Sequence, residues 1–93
     1  MREKEVEKKL WEEAKVRGGV ALKFVSPGMS GVPDRLVLLP GGLMCFAELK
    51  APGKKARPLQ LSRHRAFRRL GFMVFVIDSP EKIKEMFDEI QAT

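Results

Sequence analysis

The sequence has no tyrosine and only one cysteine, one tryptophan and one histidine among its 93 residues. A lone Cys45 excludes an internal disulfide. Its place inside an apolar run marks it as a small buried hydrophobe of a reducing compartment. No apolar stretch approaches the roughly 20 residues that a membrane-crossing helix needs. The opening "MREKEVEKKL" is charged where a secretory leader is hydrophobic, so neither a membrane location nor export is expected. No Ser-His-Asp or Cys-His arrangement is in view, which argues against a covalent catalytic mechanism.

Acidic residues are missing from one long stretch. Between Lys50 and Arg69 eight lysines and arginines meet no aspartate or glutamate. The whole chain carries 18 Lys and Arg against 12 Asp and Glu, a net charge of +6. Such an excess, concentrated in one segment, points to a polyanionic partner, with nucleic acid the usual one. The length fits a single domain, residues 1–93, and 44% hydrophobic residues suffice for one modest core. At that size a partner subunit would add stability.

Periodicity divides the chain into seven elements. Residues 3–17 form an amphipathic helix with Val6, Leu10 and Ala14 inward and Trp11 at the stripe's edge, stopped by "RGG". "VALKFV" (20–25) is a short strand, and "SPGMSGVP" (26–33) is a loop. "DRLVLLP" (34–40) and "LMCFAELK" (43–50) are strands joined by a hairpin turn at Gly41-Gly42. A cationic loop (51–58) leads to a helix with Leu59, Arg63, Ala66, Phe67 and Leu70 on one side. "FMVFVID" (72–78) is the fourth strand. "SPEKIKEMFDEIQ" (79–91) is a helix with Ser79 as N-cap, Pro80 in its first turn, and an Ile83, Met86, Phe87, Ile90 stripe. The order α-β-β-β-α-β-α, with a helical crossover between strands three and four, predicts an α/β fold. Its sheet would be mixed and four-stranded, flanked by helices, with the last two strands parallel.

Alternation along the third strand sets Met44, Phe46, Glu48 and Lys50 on one face. The first two read as core, so the strand leaves the core and ends in two charged side chains. With Gly41 and Gly42 as a two-residue turn, Asp34 falls opposite Leu49, between Glu48 and Lys50. Asp34, Glu48 and Lys50 then meet at one end of one hairpin. Two carboxylates this close, in a basic chain, suit a hard divalent cation such as Mg²⁺, which takes oxygen ligands and keeps water and substrate phosphate in its shell. A cation of this kind polarises phosphate and lowers the pKa of water. An adjacent lysine can neutralise charge developing on phosphoryl oxygens.

"GVPDRLVLL" followed by "AELK" resembles the PD-(D/E)XK nuclease signature, with Asp34, Glu48 and Lys50 as its acids and lysine. The acidic first helix, "FAELKAPGKK", the glutamine in "RPLQLSRHRAF" and "LGFMVFVIDS" extend the likeness over nearly the whole chain. Together they resemble the VRR-NUC family, the virus-type replication-repair nucleases, as a minimal stand-alone domain. The resemblance implies a restriction-endonuclease-like core and Mg²⁺- or Mn²⁺-dependent hydrolysis of phosphodiester bonds. It implies Asp34, Glu48 and the Leu49 backbone carbonyl as metal ligands, with a glutamate of the first helix. Helical spacing brings both Glu3 and Glu7 inward; the family start favours Glu3 and leaves Glu7 as the alternative. Gln60 matches the family glutamine and would orient water or Lys50.

Lys54, Lys55, Arg57 and Arg63 read as phosphate-contacting residues. His64, amid Arg63, Arg65, Arg68 and Arg69, reads as a surface or DNA-facing residue. The expectation is a DNA endonuclease of branched or structured substrates, a homodimer in the cytoplasm of a bacterial or phage-infected cell. Its dimer surface would lie at Trp11 or at Met86 and Phe87. The rival is a DNA-binding module or replication-complex subunit that keeps the fold and does not cut.

Overall fold

The computed structural model describes residues 1–92. Helix α1 spans Glu3–Val16, strands β1 and β2 span Val20–Lys23 and Arg35–Leu39, and β3 spans Leu43–Leu49. Helix α2 (Pro58–Arg69), strand β4 (Val74–Ile77) and helix α3 (Pro80–Gln91) complete the chain. The element order is the expected one, and the sheet order is β1-β2-β3-β4. β1 and β2, and β2 and β3, are antiparallel, whereas β3 and β4 run parallel. Among the described residues no helix is long and apolar enough to cross a membrane.

The inward stripe of α1 is buried as its spacing demands, with Val6, Leu10 and Ala14 all inaccessible. Gly18, at φ +82°, takes the left-handed turn that ends this helix, a conformation other residues adopt at a cost. α3 begins where expected: the Ser79 side chain accepts from the Lys82 backbone N–H at 3.4 Å, with Pro80 in the first turn. Arg17 joins the two helices, donating to Glu13 at 2.8 Å and to Gln91 at 2.6 Å, with its guanidinium over the Phe87 ring.

Two layers of side chains lie on opposite faces of the sheet. The larger core joins Val37, Leu39, Cys45, Ala47, Leu49 and Ile77 to the apolar faces of α1 and α3. Met86 and Phe87 are sealed inside it, so the last helix offers neither residue to a second subunit. The other face holds an aromatic cluster around Phe46, whose ring centroid lies 5.4 Å from Phe24, 5.0 Å from Phe67 and 5.8 Å from Phe72. The face holding Met44 and Phe46 is thus the smaller, half-buried layer. β3 is central in the sheet and apolar on both sides, so alternation alone does not tell which side is thicker.

Two further expectations are corrected. The hairpin turn has three residues, Pro40–Gly42, rather than two, and the register runs from Leu39↔Leu43 to Arg35↔Ala47. Extended by one residue, it sets Asp34 opposite Glu48 instead of Leu49. On α2, the sequence stripe is displaced: Leu59 and Leu70 are exposed, and the fully buried residue is His64.

Candidate active site

The loop before Asp34 is fixed from both ends. Gly31, at φ +83°, lies so close to α2 that a Cβ there would sit 2.8 Å from Leu59 Cγ. Arg63 Nε donates to the Ser30 carbonyl at 2.7 Å, so this arginine anchors the loop. Pro33 is fully buried. The Asp34 carbonyl accepts from the Phe24 N–H at 2.9 Å and from the Arg35 guanidinium at 2.8 Å. Its carboxylate Oδ1 accepts from the Leu49 N–H at 3.1 Å. Asp34 therefore reaches the end of β3 despite the shifted register, and the Leu49 backbone is drawn into the site.

Glu48 sits opposite Val76 of β4, with strands on both sides, and is only 2% exposed. Lys50 is held by its backbone N–H to the Ile77 carbonyl at 3.0 Å, and its Nζ lies 3.9 Å from Glu48 Oε2. Gln60, in the first turn of α2, does two things. Its Oε1 accepts from the Arg57 N–H at 2.8 Å, capping the helix, and its Nε2 donates to Glu48 Oε2 at 3.2 Å. One turn further along, His64 Nε2 is 3.5 Å from Glu48 Oε1. The helical repeat places residues four apart on one face, and here that face meets the carboxylate.

The expectation that His64 faces DNA is corrected: its ring is 0% exposed. Four flanking arginines suggested a surface position, but helix geometry turns Arg63 and Arg65 to other sides, and Arg68, one turn on, donates to the Val74 carbonyl at 2.7 Å. Burial and the charge of Arg68 hold the imidazole below its ordinary pKa. His64 and Arg63, the first beside Glu48 and the second on the Ser30 carbonyl, are the residues whose local roles the sequence did not reveal. Lys54, Lys55 and Arg57 are exposed.

The glutamates of α1 separate. Glu7 is ion-paired with Arg35, whose guanidinium also borders Asp34. Glu3 is exposed at the start of the helix, and its charge reaches Glu48. Burial raises the Glu48 pKa from 4.5 to about 7; the negative Asp34 adds to the rise, Lys50 opposes it, and Glu3 contributes a little more.

This electrostatic frustration tests the fit of a cation. Glu48 Oε1 is buried with no hydrogen-bond partner, and a second carboxylate stands beside it. Among the described residues no group of three or more His, Cys, Asp or Glu could hold a metal. A two-carboxylate oxygen set is nevertheless what Mg²⁺ uses when water and phosphate complete its shell. The donor set fits.

No family model matches the chain. A solved structure of a VRR_NUC domain, 37% identical, covers 92% of this chain and 94% of its own, with a TM-score of 0.85. The "Putative nuclease p44" of Acyrthosiphon pisum secondary endosymbiont phage 1 is 52% identical over 81 residues, 87% of each protein. The chain belongs to the VRR-NUC family. Its fold is that of this nuclease family over 92% of the chain, and Asp34, Glu48, Lys50 and Gln60 converge at the end of β3.

Proposed function

We propose that this VRR-NUC domain is a Mg²⁺- or Mn²⁺-dependent endonuclease that hydrolyses phosphodiester bonds in DNA, with branched or structured duplexes as its substrates. The observation that carries the reading is the buried Glu48 carboxylate, with one oxygen unpartnered, set beside Asp34. Asp34, Glu48 and the Leu49 carbonyl would hold the cation, and Glu3 rather than Glu7 would complete its ligands, because Arg35 already occupies Glu7. When bound, a divalent cation supplies Lewis acidity toward a phosphate oxygen and toward water.

The remaining chemistry belongs to the protein. Lys50, positioned by the β3–β4 ladder, neutralises charge that grows on the phosphoryl oxygens in an in-line displacement. Gln60 fixes the Glu48 carboxylate through Oε2 and leaves it no freedom to swing toward Lys50 alone. Lys54, Lys55 and Arg57, exposed on the loop that follows Lys50, hold the DNA backbone without reading its sequence. Cutting both strands of a symmetric junction requires two such sites, which a two-fold homodimer supplies.

The test is incubation with labelled four-way junction, flap and linear duplexes in Mg²⁺, Mn²⁺ or EDTA. Cleavage with metal is expected, strongest on branched DNA and lost in EDTA. Asp34→Ala, Glu48→Ala and Lys50→Ala should each abolish it while retaining the fold and DNA binding. Binding without cutting by the wild type under every metal condition would favour the non-catalytic module. Light scattering should give about twice the 10.5 kDa chain mass.

A further inference from the structure

His64 is buried, and neither of its ring nitrogens has a hydrogen-bond partner. Glu48 Oε1, 3.5 Å from His64 Nε2, is unpartnered too. A buried donor or acceptor left unsatisfied is costly, and a carboxylate oxygen has lone pairs enough for both a cation and an N–H, so a bond between these two facing groups is favoured. A charge-assisted N–H···O bond closes at roughly 2.7–2.9 Å, and catalytic hydrogen bonds commonly tighten when a site is loaded. A neutral imidazole carries one N–H, which suffices. We propose that His64 is a positioning residue, donating from Nε2 to Glu48 Oε1 while Gln60 holds Oε2. Two side chains one turn apart on α2 then fix the plane of the metal-binding carboxylate.

This rests on the reading of Glu48 as a metal ligand, and the test separates the two. Mn²⁺ alone, without DNA, is titrated calorimetrically into the wild type, His64→Leu and His64→Gln. Loss of an outer partner of this kind weakens metal binding about 10- to 100-fold, so His64→Leu should show that loss. His64→Gln, which keeps an N–H donor, should recover most of it. Equal affinity in His64→Leu and wild type overturns the role of His64. A wild type that takes up no Mn²⁺ removes the metal reading and this inference with it. Because His64 is the single histidine, proton–nitrogen correlation spectra of the wild-type ring give a second measurement. They should show the proton on Nε2; a ring protonated only on Nδ1 overturns the proposal even if the leucine variant fails to fold.

A different face carries a second inference. Between α1 and the edge strand β1 lies a groove of about 830 Å³. Arg2, Lys4, Lys8, Lys23 and Arg35 line it together with Trp11, the chain's only tryptophan. Its two acids are engaged: Glu7 pairs with Arg35, and Glu5 accepts from the Arg2 N–H at 3.0 Å. The groove is therefore cationic. At one end Arg35 donates to the Asp34 carbonyl and lies 3.8 Å from its carboxylate, so the groove ends next to Asp34. From Lys4 to Trp11 the helix advances roughly 10 Å. Lys15 lies over the Trp11 ring at 4.5 Å from its centroid. Cations along a groove with an exposed aromatic ring suit a single strand of nucleic acid, whose bases stack while its phosphates are neutralised.

We infer that this groove carries single-stranded DNA leading away from the cleaved phosphate, with a base on Trp11. It rests on DNA being the substrate. Trp11 fluorescence, titrated with a short labelled oligothymidylate in EDTA, should fall saturably and less steeply as salt rises. The double variant Lys4→Glu, Lys8→Glu should lose at least about tenfold in affinity with unchanged circular dichroism, since opposed charges replace two phosphate contacts. Anisotropy of the same oligonucleotide separates the readings. Binding without a fluorescence change overturns the groove alone, and no binding overturns both. A fluorescence change driven by protein concentration without DNA assigns the groove to a second copy and also overturns it.

Discussion

Replacing Glu48 by glutamine should stabilise the metal-free protein at neutral and alkaline pH. A carboxyl whose pKa rises from 4.5 in the unfolded chain to about 7 in the fold is protonated as the chain folds. Below the lower value both states hold the proton, and Glu48 imposes no penalty. As pH climbs, the unfolded chain releases its proton first and stability falls. Above about 7 the penalty is complete, and the rise in pKa corresponds to about 3 kcal/mol. His64, held below its ordinary pKa, works in the opposite direction: the unfolded chain binds the extra proton, so stability grows as pH rises toward 6.5. Because His64 lies against Glu48 its slope is not shared unchanged by the variant, and repeating the comparison in a His64→Gln background removes it. Urea unfolding in EDTA, followed by circular dichroism across this pH range, measures the difference between wild type and variant directly. Glu48→Gln should gain on the wild type steadily through the interval and then run parallel to it. A difference that does not change with pH would refute the reasoning, because it would mean that Glu48 is ionised in the fold at no cost.

Three further outcomes follow from the same structure. Replacing Lys54, Lys55 and Arg57 with alanine should weaken binding to all DNA sequences alike and flatten the logarithmic salt dependence by up to ~0.9 per lost phosphate contact, read from titrations at several salt concentrations. The capping bond at residue 57 comes from its backbone N–H, so the alanine leaves α2 intact and an unchanged slope would mean these charges face only water. Cys45 is fully buried, and burial pushes its thiol up to about 12, so a thiol reagent at pH 8 should react only as fast as the protein unfolds. Reaction at the rate of a free thiol would show that the central strand is open. Arg17→Ala should cost about 1 kcal/mol in urea unfolding by removing its charged hydrogen bond to Gln91 of α3; no loss would mean the helices are joined by their apolar faces alone.

Much of the fold was legible because its signals are local. The Val6, Leu10, Ala14 stripe, the glycine stop after it, and Ser79-Pro80 ahead of α3 each depend on neighbours within a turn or two. The converging motif was legible as well, since a hairpin brings Asp34 to Glu48 with either turn length. What the sequence hid depends on distant partners. Two glycines suggest a two-residue turn, but Pro40 joins them in a three-residue one and shifts the register by a position. His64 looks solvated among arginines until the sheet supplies Glu48 opposite it. The ion pair of Glu7 with Arg35 joins residues twenty-eight positions apart that only the fold brings together. A signal did exist for His64: Gln60 and His64 are four apart, so a glutamine facing the site carries the histidine with it.

The central claim is that Asp34 and Glu48 together hold a divalent cation. A crystal of the wild-type protein soaked in Mn²⁺, with diffraction recorded for anomalous scattering, tests it most directly. The account predicts one strong anomalous peak in contact with both carboxylates and the Leu49 carbonyl, and its disappearance in Glu48→Ala crystals soaked the same way. A peak bound elsewhere on the chain, or none beside Glu48 at saturating Mn²⁺, would contradict it.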